Sequence, residues 1–191
     1  MPAPVTPPSR PGRRPRGKAR PLVLILDISG SMAPYSRALL QCAFAAMADG
    51  RKVEAFCFGT RLTRVTRAPR TKDPDRAMHE IGRQVEDCEG GTRIGESLEG
   101  LLDVWSQRAA LRGAVVVLCS DGLERSDPDL LRAQMARLRR LAYKVVWVNP
   151  LKGSPRYEPL ARGMAAALPS VDVFLPATSS RGSRRSAALL A

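Results

Sequence analysis

The stretch "LILDISGSMAPYS", residues 24–36, sets an aspartate and two serines directly behind an apolar run. Asp27, Ser29 and Ser31 are three oxygen-bearing side chains at alternate positions. A packed core has no use for them, because burying a polar group is costly unless it is hydrogen-bonded. They either cap the helix that follows or hold a ligand. The residues just before them, "PLVLILD", form a continuous apolar run of strand length, the pattern of a strand buried on both faces. Strands of that kind belong to parallel sheets sandwiched between helices, so this segment sets the fold.

The rest of the chain agrees with that start. "PYSRALLQCAFAAMADG" has helical periodicity, with Pro34 in its first turn and Gly50 behind its last. "KVEAFCFG" and "RLTRVTR" are short β-type runs around Gly59 and Thr60, which predicts an antiparallel hairpin. "DPDRAMHEIGRQVEDC" reads as a helix started by Asp73, and "IGESLEGLLDVWSQRAA" as another after the glycine pair of "EGGTRIG". "GAVVVLCSDG" and "KVVWVNP" are further buried strands, with the amphipathic helix "DPDLLRAQMARLRRLAY" between them. "YEPLARGMAAAL" reads as a last helix and "VDVFLP" as a last strand. Strands alternating with helices predict a doubly wound α/β domain: a mainly parallel, six-stranded sheet, helices on both faces, third strand antiparallel.

Charge and composition narrow the classes of function. The 191 residues carry a formal net charge of +13. Six Arg or Lys and no acid lie in the first twenty residues, among many prolines, and three more arginines lie in the Ser-rich end. That leaves an ordinary balance of about +4 for the residues between. The expected organisation is a disordered basic arm over 1–20, one domain over 21–176 and a Ser/Arg-rich tail over 177–191. The only histidine, His79, lies on a polar helical stretch, so histidine metal sites and Ser-His-Asp triads lack material. Cys42, Cys57, Cys88 and Cys119 form no C-x-x-C pair and read as reduced, buried thiols. With no apolar run near the ~20 residues of a membrane span, the chain reads as cytoplasmic.

In a doubly wound sheet, ligands bind beyond the carboxyl ends of the strands, where the strand order reverses. Asp27, Ser29 and Ser31 fall after the first strand and Asp121 after the fourth, while Thr92 lies on the "GGT" loop. Two carboxylates and three hydroxyls are hard oxygen donors, suited to Mg²⁺ or Mn²⁺ rather than to a soft metal. Neutral hydroxyls would leave such an ion electrophilic and ready for a carboxylate from a partner protein.

"DISGSM", "GGT" and "SDG", in this order on this alternation, resemble the metal-ion-dependent adhesion site (MIDAS) of a von Willebrand factor A (VWA) domain. The resemblance implies that Ser29, Ser31 and Thr92 coordinate the cation, with Asp27 and Asp121 binding directly or through water. It also implies an antiparallel third strand. "VEAFCFGTRLTRVTR", "GGTRIGESL" and "GAVVVLCSDGLERSDPDLL" further resemble the CoxE-like branch of bacterial VWA proteins, over about residues 18–176. That branch is associated with maturation of carbon monoxide dehydrogenase and related molybdenum hydroxylases, acting with a MoxR-type AAA+ ATPase. The implied role is a non-enzymatic adaptor.

Other readings weigh less. Ser31 or Ser36 as a helix cap explains one serine but not the set. "GGTRIGES" imitates a phosphate loop, but Glu96 stands where a lysine would meet the phosphate. An Mg²⁺-dependent aspartyl-phosphate phosphotransferase or phosphatase would resemble D-x-D at the first strand, where this chain has Ser29. The basic arm can meet phosphates but has no aromatic residue to stack on bases, which favours a solvated linker over nucleic-acid binding.

Overall fold

The computed structural model describes residues 20–48, 52–59, 61–66, 92–105, 110–153 and 162–177. The helix expected over 73–88, most of the basic arm and nearly all of the tail lie outside them. Six strands form one sheet: β1 (Leu22–Asp27), β2 (Val53–Phe58), β3 (Leu62–Arg64), β4 (Val115–Cys119), β5 (Lys144–Asn149) and β6 (Val173–Pro176). Their order is β3-β2-β1-β4-β5-β6, and only the β2–β3 pair is antiparallel. The helices are α1 (Ala33–Ala48), α2 (Ile94–Trp105), α3 (Pro128–Leu141) and α4 (Arg162–Ala167). The doubly wound α/β fold expected from the sequence is therefore the fold observed.

β1 is apolar up to its last residue, Asp27, because both of its faces are covered. Val23 and Ile25 join Phe56, Phe58, Val116, Leu118 and Trp147 in one layer, sealed by Ile94, Leu98 and Leu101 of α2 and by Leu131, Met135 and Leu138 of α3. Leu22, Leu24 and Leu26 point the other way, with Ala55, Cys57, Val117, Cys119 and Val146, and Leu39 of α1 packs there. Period-two alternation thus divides one apolar sequence between two cores. α3 starts where its sequence signals it: Asp127 accepts the Asp129 N–H at 2.9 Å ahead of Pro128.

The third strand is shorter than "RLTRVTR" predicts. After Arg64 the N–H groups of Val65 and Thr66 both donate to the Ala55 carbonyl, at 2.8 and 3.2 Å. Two residues then oppose one, as in a bulge, and the ladder stops. The Thr66 hydroxyl closes the end by accepting the Ala55 N–H at 2.7 Å and donating to Glu54 at 2.8 Å.

Cys57 and Cys119 are both buried, and Cys57 is a free thiol, as the sequence suggests. Burial pushes the Cys57 thiol up to about 12. A thiol whose folded pKa is raised contributes stability below its unfolded pKa, and loses it as the pH climbs through the folded value. Native Cys57 is expected to resist iodoacetamide at pH 8 while the urea-unfolded chain reacts, with alkylation followed by peptide mass spectrometry. Rapid native labelling would mean that the β2 layer opens to solvent.

Candidate metal centre

β1 and β4 lie side by side, so the loops leaving their carboxyl ends face each other at the point where the strand order reverses. Asp27 is the last residue of β1 and is wholly buried. Its Oδ1 accepts the Ser29 N–H at 2.9 Å, turning the chain back on itself. Its Oδ2 accepts the Ser120 hydroxyl at 2.6 Å, from the end of β4. The chain then enters a single 3-10 turn, Gly30–Met32, which brings the Ser31 hydroxyl to 3.3 Å from that of Ser29. Ser29 is buried and Ser31 is exposed, so this pair runs from the floor of the cleft to its mouth.

Asp121 is also buried, and its charge adds to the cost of ionising Asp27. Its Oδ1 accepts the Leu123 N–H at 3.0 Å. Thr92, buried just ahead of α2, is tied to the same loop: its carbonyl accepts the Arg125 N–H at 3.0 Å. The loops carrying all five sequence-predicted residues therefore gather at one end of the sheet. Among the described residues no Lys or Arg pairs with Asp27 or Asp121. No group of three or more His, Cys, Asp or Glu is present among them either. The donor set is thus hydroxyl-rich, with two carboxylates and no soft ligand, and it fits a hard divalent cation.

Three supporting residues escaped the sequence reading. Ser120 also accepts the Gly122 N–H at 3.0 Å, so one hydroxyl joins both aspartate loops. Asn149, wholly buried at the end of β5, donates from Nδ2 to the Asp121 carbonyl at 2.9 Å and accepts the Leu151 N–H at 2.8 Å. Glu124 accepts the Gly95 N–H at 2.8 Å and holds Ser126 through both its N–H and its hydroxyl. The available signal was positional: Asn149 ends an apolar strand as Asp27 does. Below them, Gly122 has φ +81° and packs against α4, where a Cβ on Gly163 would meet the Gly122 carbonyl at 2.4 Å.

Burial raises the pKa of Asp27, opposed by the hydrogen bonds from Ser120 and Ser29 and reinforced by Asp121. The chain alone thus bears a cost for ionising this carboxyl that a cation would relieve.

Solved structures share the architecture. A TM-score of 0.54 relates it to the BatB protein of Bacteroides thetaiotaomicron, at 16% identity over 88% of this chain and 95% of that one. The von Willebrand factor type A protein of Catenulispora acidiphila gives 0.53, at 16% identity over 82% of this chain and 38% of that one. Proximal thread matrix protein 1 of the mussel byssus, solved with a zinc-occupied MIDAS motif, gives 0.54, at 18% identity over 88% and 44%. No curated protein matches the sequence. The fold is that of a VWA domain. More narrowly, the chain belongs to the family of VWA domain containing CoxE-like proteins, which it matches over residues 3–182.

Two outcomes test the cleft without any ligand. Gly163→Ala forces the backbone of the Asp121 loop to move and should cost about 1–3 kcal/mol as overpacking does, read as a fall of several degrees in Tm. An unchanged Tm would mean that the loop does not rest on α4. The second concerns the buried charge. A carboxyl with a raised folded pKa favours the fold when protonated, and that contribution is lost as the pH rises through the folded value. In EDTA at pH 7.5, Asp27→Asn is expected to melt no lower than wild type, with any advantage shrinking as the pH falls. A clear loss of Tm would show that the Ser29 and Ser120 hydrogen bonds outweigh the burial of charge.

Proposed function

We propose that this domain is a non-enzymatic, cation-dependent docking module. Ser29, Ser31 and Thr92 hold Mg²⁺ or Mn²⁺ through their hydroxyls, and Asp27 and Asp121 support it directly or through water. The cation supplies Lewis acidity for gripping one carboxylate of a partner protein. What carries the reading is the burial of Asp27 and Asp121 with no basic side chain among the described residues paired to either. Two desolvated carboxylates without a counter-charge are unfavourable, and a divalent ion is the simplest group that satisfies both. The zinc held by the MIDAS motif of the mussel protein supports a divalent cation at this kind of site.

The residues of the chain divide the work. Ser120 fixes the Asp27 carboxylate, and Asn149 fixes the Asp121 backbone, so the donors are held before a cation arrives. The 3-10 turn keeps the Ser31 hydroxyl at the mouth, where an incoming carboxylate would meet the ion. Among the described residues no helix is long and apolar enough to cross a membrane. By its resemblance to the CoxE-like branch, the module acts in the cytoplasm with a MoxR-type AAA+ ATPase, on carbon monoxide dehydrogenase or a related molybdenum hydroxylase.

Calorimetric titration with Mg²⁺ and Mn²⁺, with and without a glutamate-rich peptide, tests the core of this reading. Wild type should bind the ion, the peptide should tighten binding, and Asp27→Ala should weaken it at least about 10-fold, as loss of a supporting residue at a metal does. Equal binding by wild type and Asp27→Ala would remove the site. Ion binding indifferent to carboxylate would remove the docking mechanism.

A further inference from the structure

The segment that carries Thr92 is tied to the rest of the cleft at few points. Among the described residues, the Thr92 carbonyl accepts the Arg125 N–H at 3.0 Å and the Gly95 N–H donates to Glu124 Oε2 at 2.8 Å. A longer bond runs from the Arg93 N–H to the Gly59 carbonyl at 3.5 Å. The two short bonds both come from the loop behind Asp121, from adjacent residues. Gly95 stands in the first turn of α2, where an N–H has no carbonyl one turn back to bond. Glu124 supplies the missing acceptor from 29 residues away.

Both carboxylate oxygens of Glu124 are occupied. Oε2 takes Gly95, and Oε1 takes the N–H and the hydroxyl of Ser126, each at 2.8 Å. No Lys or Arg among the described residues pairs with this carboxylate, so its partners are neutral donors in charge-assisted bonds. The clasp has little room to give. A Cβ on Gly163 of α4 would meet the Glu124 Cβ at 2.7 Å, and a Cβ on Gly95 would meet the Leu131 nitrogen of α3 at 3.0 Å. One helix backs each side. Between Asp121 and Glu124 the chain is held too, because the Leu123 N–H returns to Asp121 Oδ1 at 3.0 Å.

We propose that Glu124 is a positioning residue for the cation: its bond to Gly95 sets Thr92 against the Asp121 loop and so joins two parts of the donor set. This rests on the cation reading above and adds the link between its loops. A local turn alone does not call for glutamate. Asp27, Asp121 and Asp127 each accept the N–H two residues on, so aspartate serves that turn three times in this chain. Glu124 makes the same turn with Ser126, and its extra methylene carries the second oxygen across to α2. The coupling is reciprocal: a clasp that favours the ion is itself favoured by the ion.

Glu124→Asp keeps the charge and the turn to Ser126 but is too short for Gly95, and Asp127→Ala removes a neighbouring helix cap that does not touch α2. Calorimetric titration of the full chain with Mg²⁺ and Mn²⁺ should show Glu124→Asp at least about 10-fold weaker than wild type, as loss of a partner outside the metal's own ligands does. Asp127→Ala should lower Tm and leave the affinity unchanged. Amide hydrogen exchange gives a second readout that needs no variant: the Gly95 N–H of wild type should exchange more slowly with Mg²⁺ than in EDTA. Full affinity in Glu124→Asp would reduce Glu124 to its local turn, and equal losses in both variants would reduce the effect to stability. Either result, or Gly95 exchange indifferent to Mg²⁺ in a chain that binds it, overturns the proposal and leaves the cation reading standing. Wild type that binds neither ion overturns both.

Discussion

The hydroxyl of Ser120 donates a 2.6 Å hydrogen bond to Asp27 across 93 residues of sequence, and the arrangement of the carboxyl end of the sheet follows from it. Asp27 must sit at the end of β1 for the parallel strands beside it to strip away its water, and Ser120 must end β4 for the carboxylate to keep a partner. The same serine takes the Gly122 N–H, so the loop that carries Asp121 is set by the group that anchors Asp27. Remove that bond and two loops lose their common reference. A buried carboxylate thus orders its surroundings because it is expensive to leave unpaired.

Much of the fold was legible because the signals are local. The all-apolar runs of β1, β4 and β5 announce strands covered on both faces, and Asp-Pro before α3 announces its start. The hairpin at Gly59 and Thr60 was visible, but its length was not. What ends β3 is a pair of N–H groups competing for the Ala55 carbonyl, a contact between segments that no local pattern encodes. The same limit applies at the cleft. Asp27, Ser29 and Ser31 stand together in the sequence and were found together. Ser120, Asn149 and Glu124 act on residues 93, 28 and 29 positions away, so their roles exist only in the folded chain.

The sheet also explains why the two ends of the domain differ. Strands in parallel register put all their amino ends on one side and all their carboxyl ends on the other, so residue types preferred at each kind of terminus accumulate. Acids and hydroxyls that accept backbone N–H groups collect where strands give way to loops and helices at one end. At the other end Arg20, Lys52 and Arg112 lie just ahead of β1, β2 and β4. The polarity of the molecule is thus built on the topology, and does not depend on net charge alone.

β1 bears on one further property. It is paired in parallel along its whole length with β2 and along five of its six residues with β4, and Asp27 is its last residue. A pull applied at Asp27 along the strand axis would load both hydrogen-bond ladders in shear, so many bonds would have to fail together. The same force across an antiparallel hairpin such as β2–β3 could peel bonds one after another. The residue at the centre of the cleft is therefore mounted on the element of this sheet best placed to bear tension without unzipping.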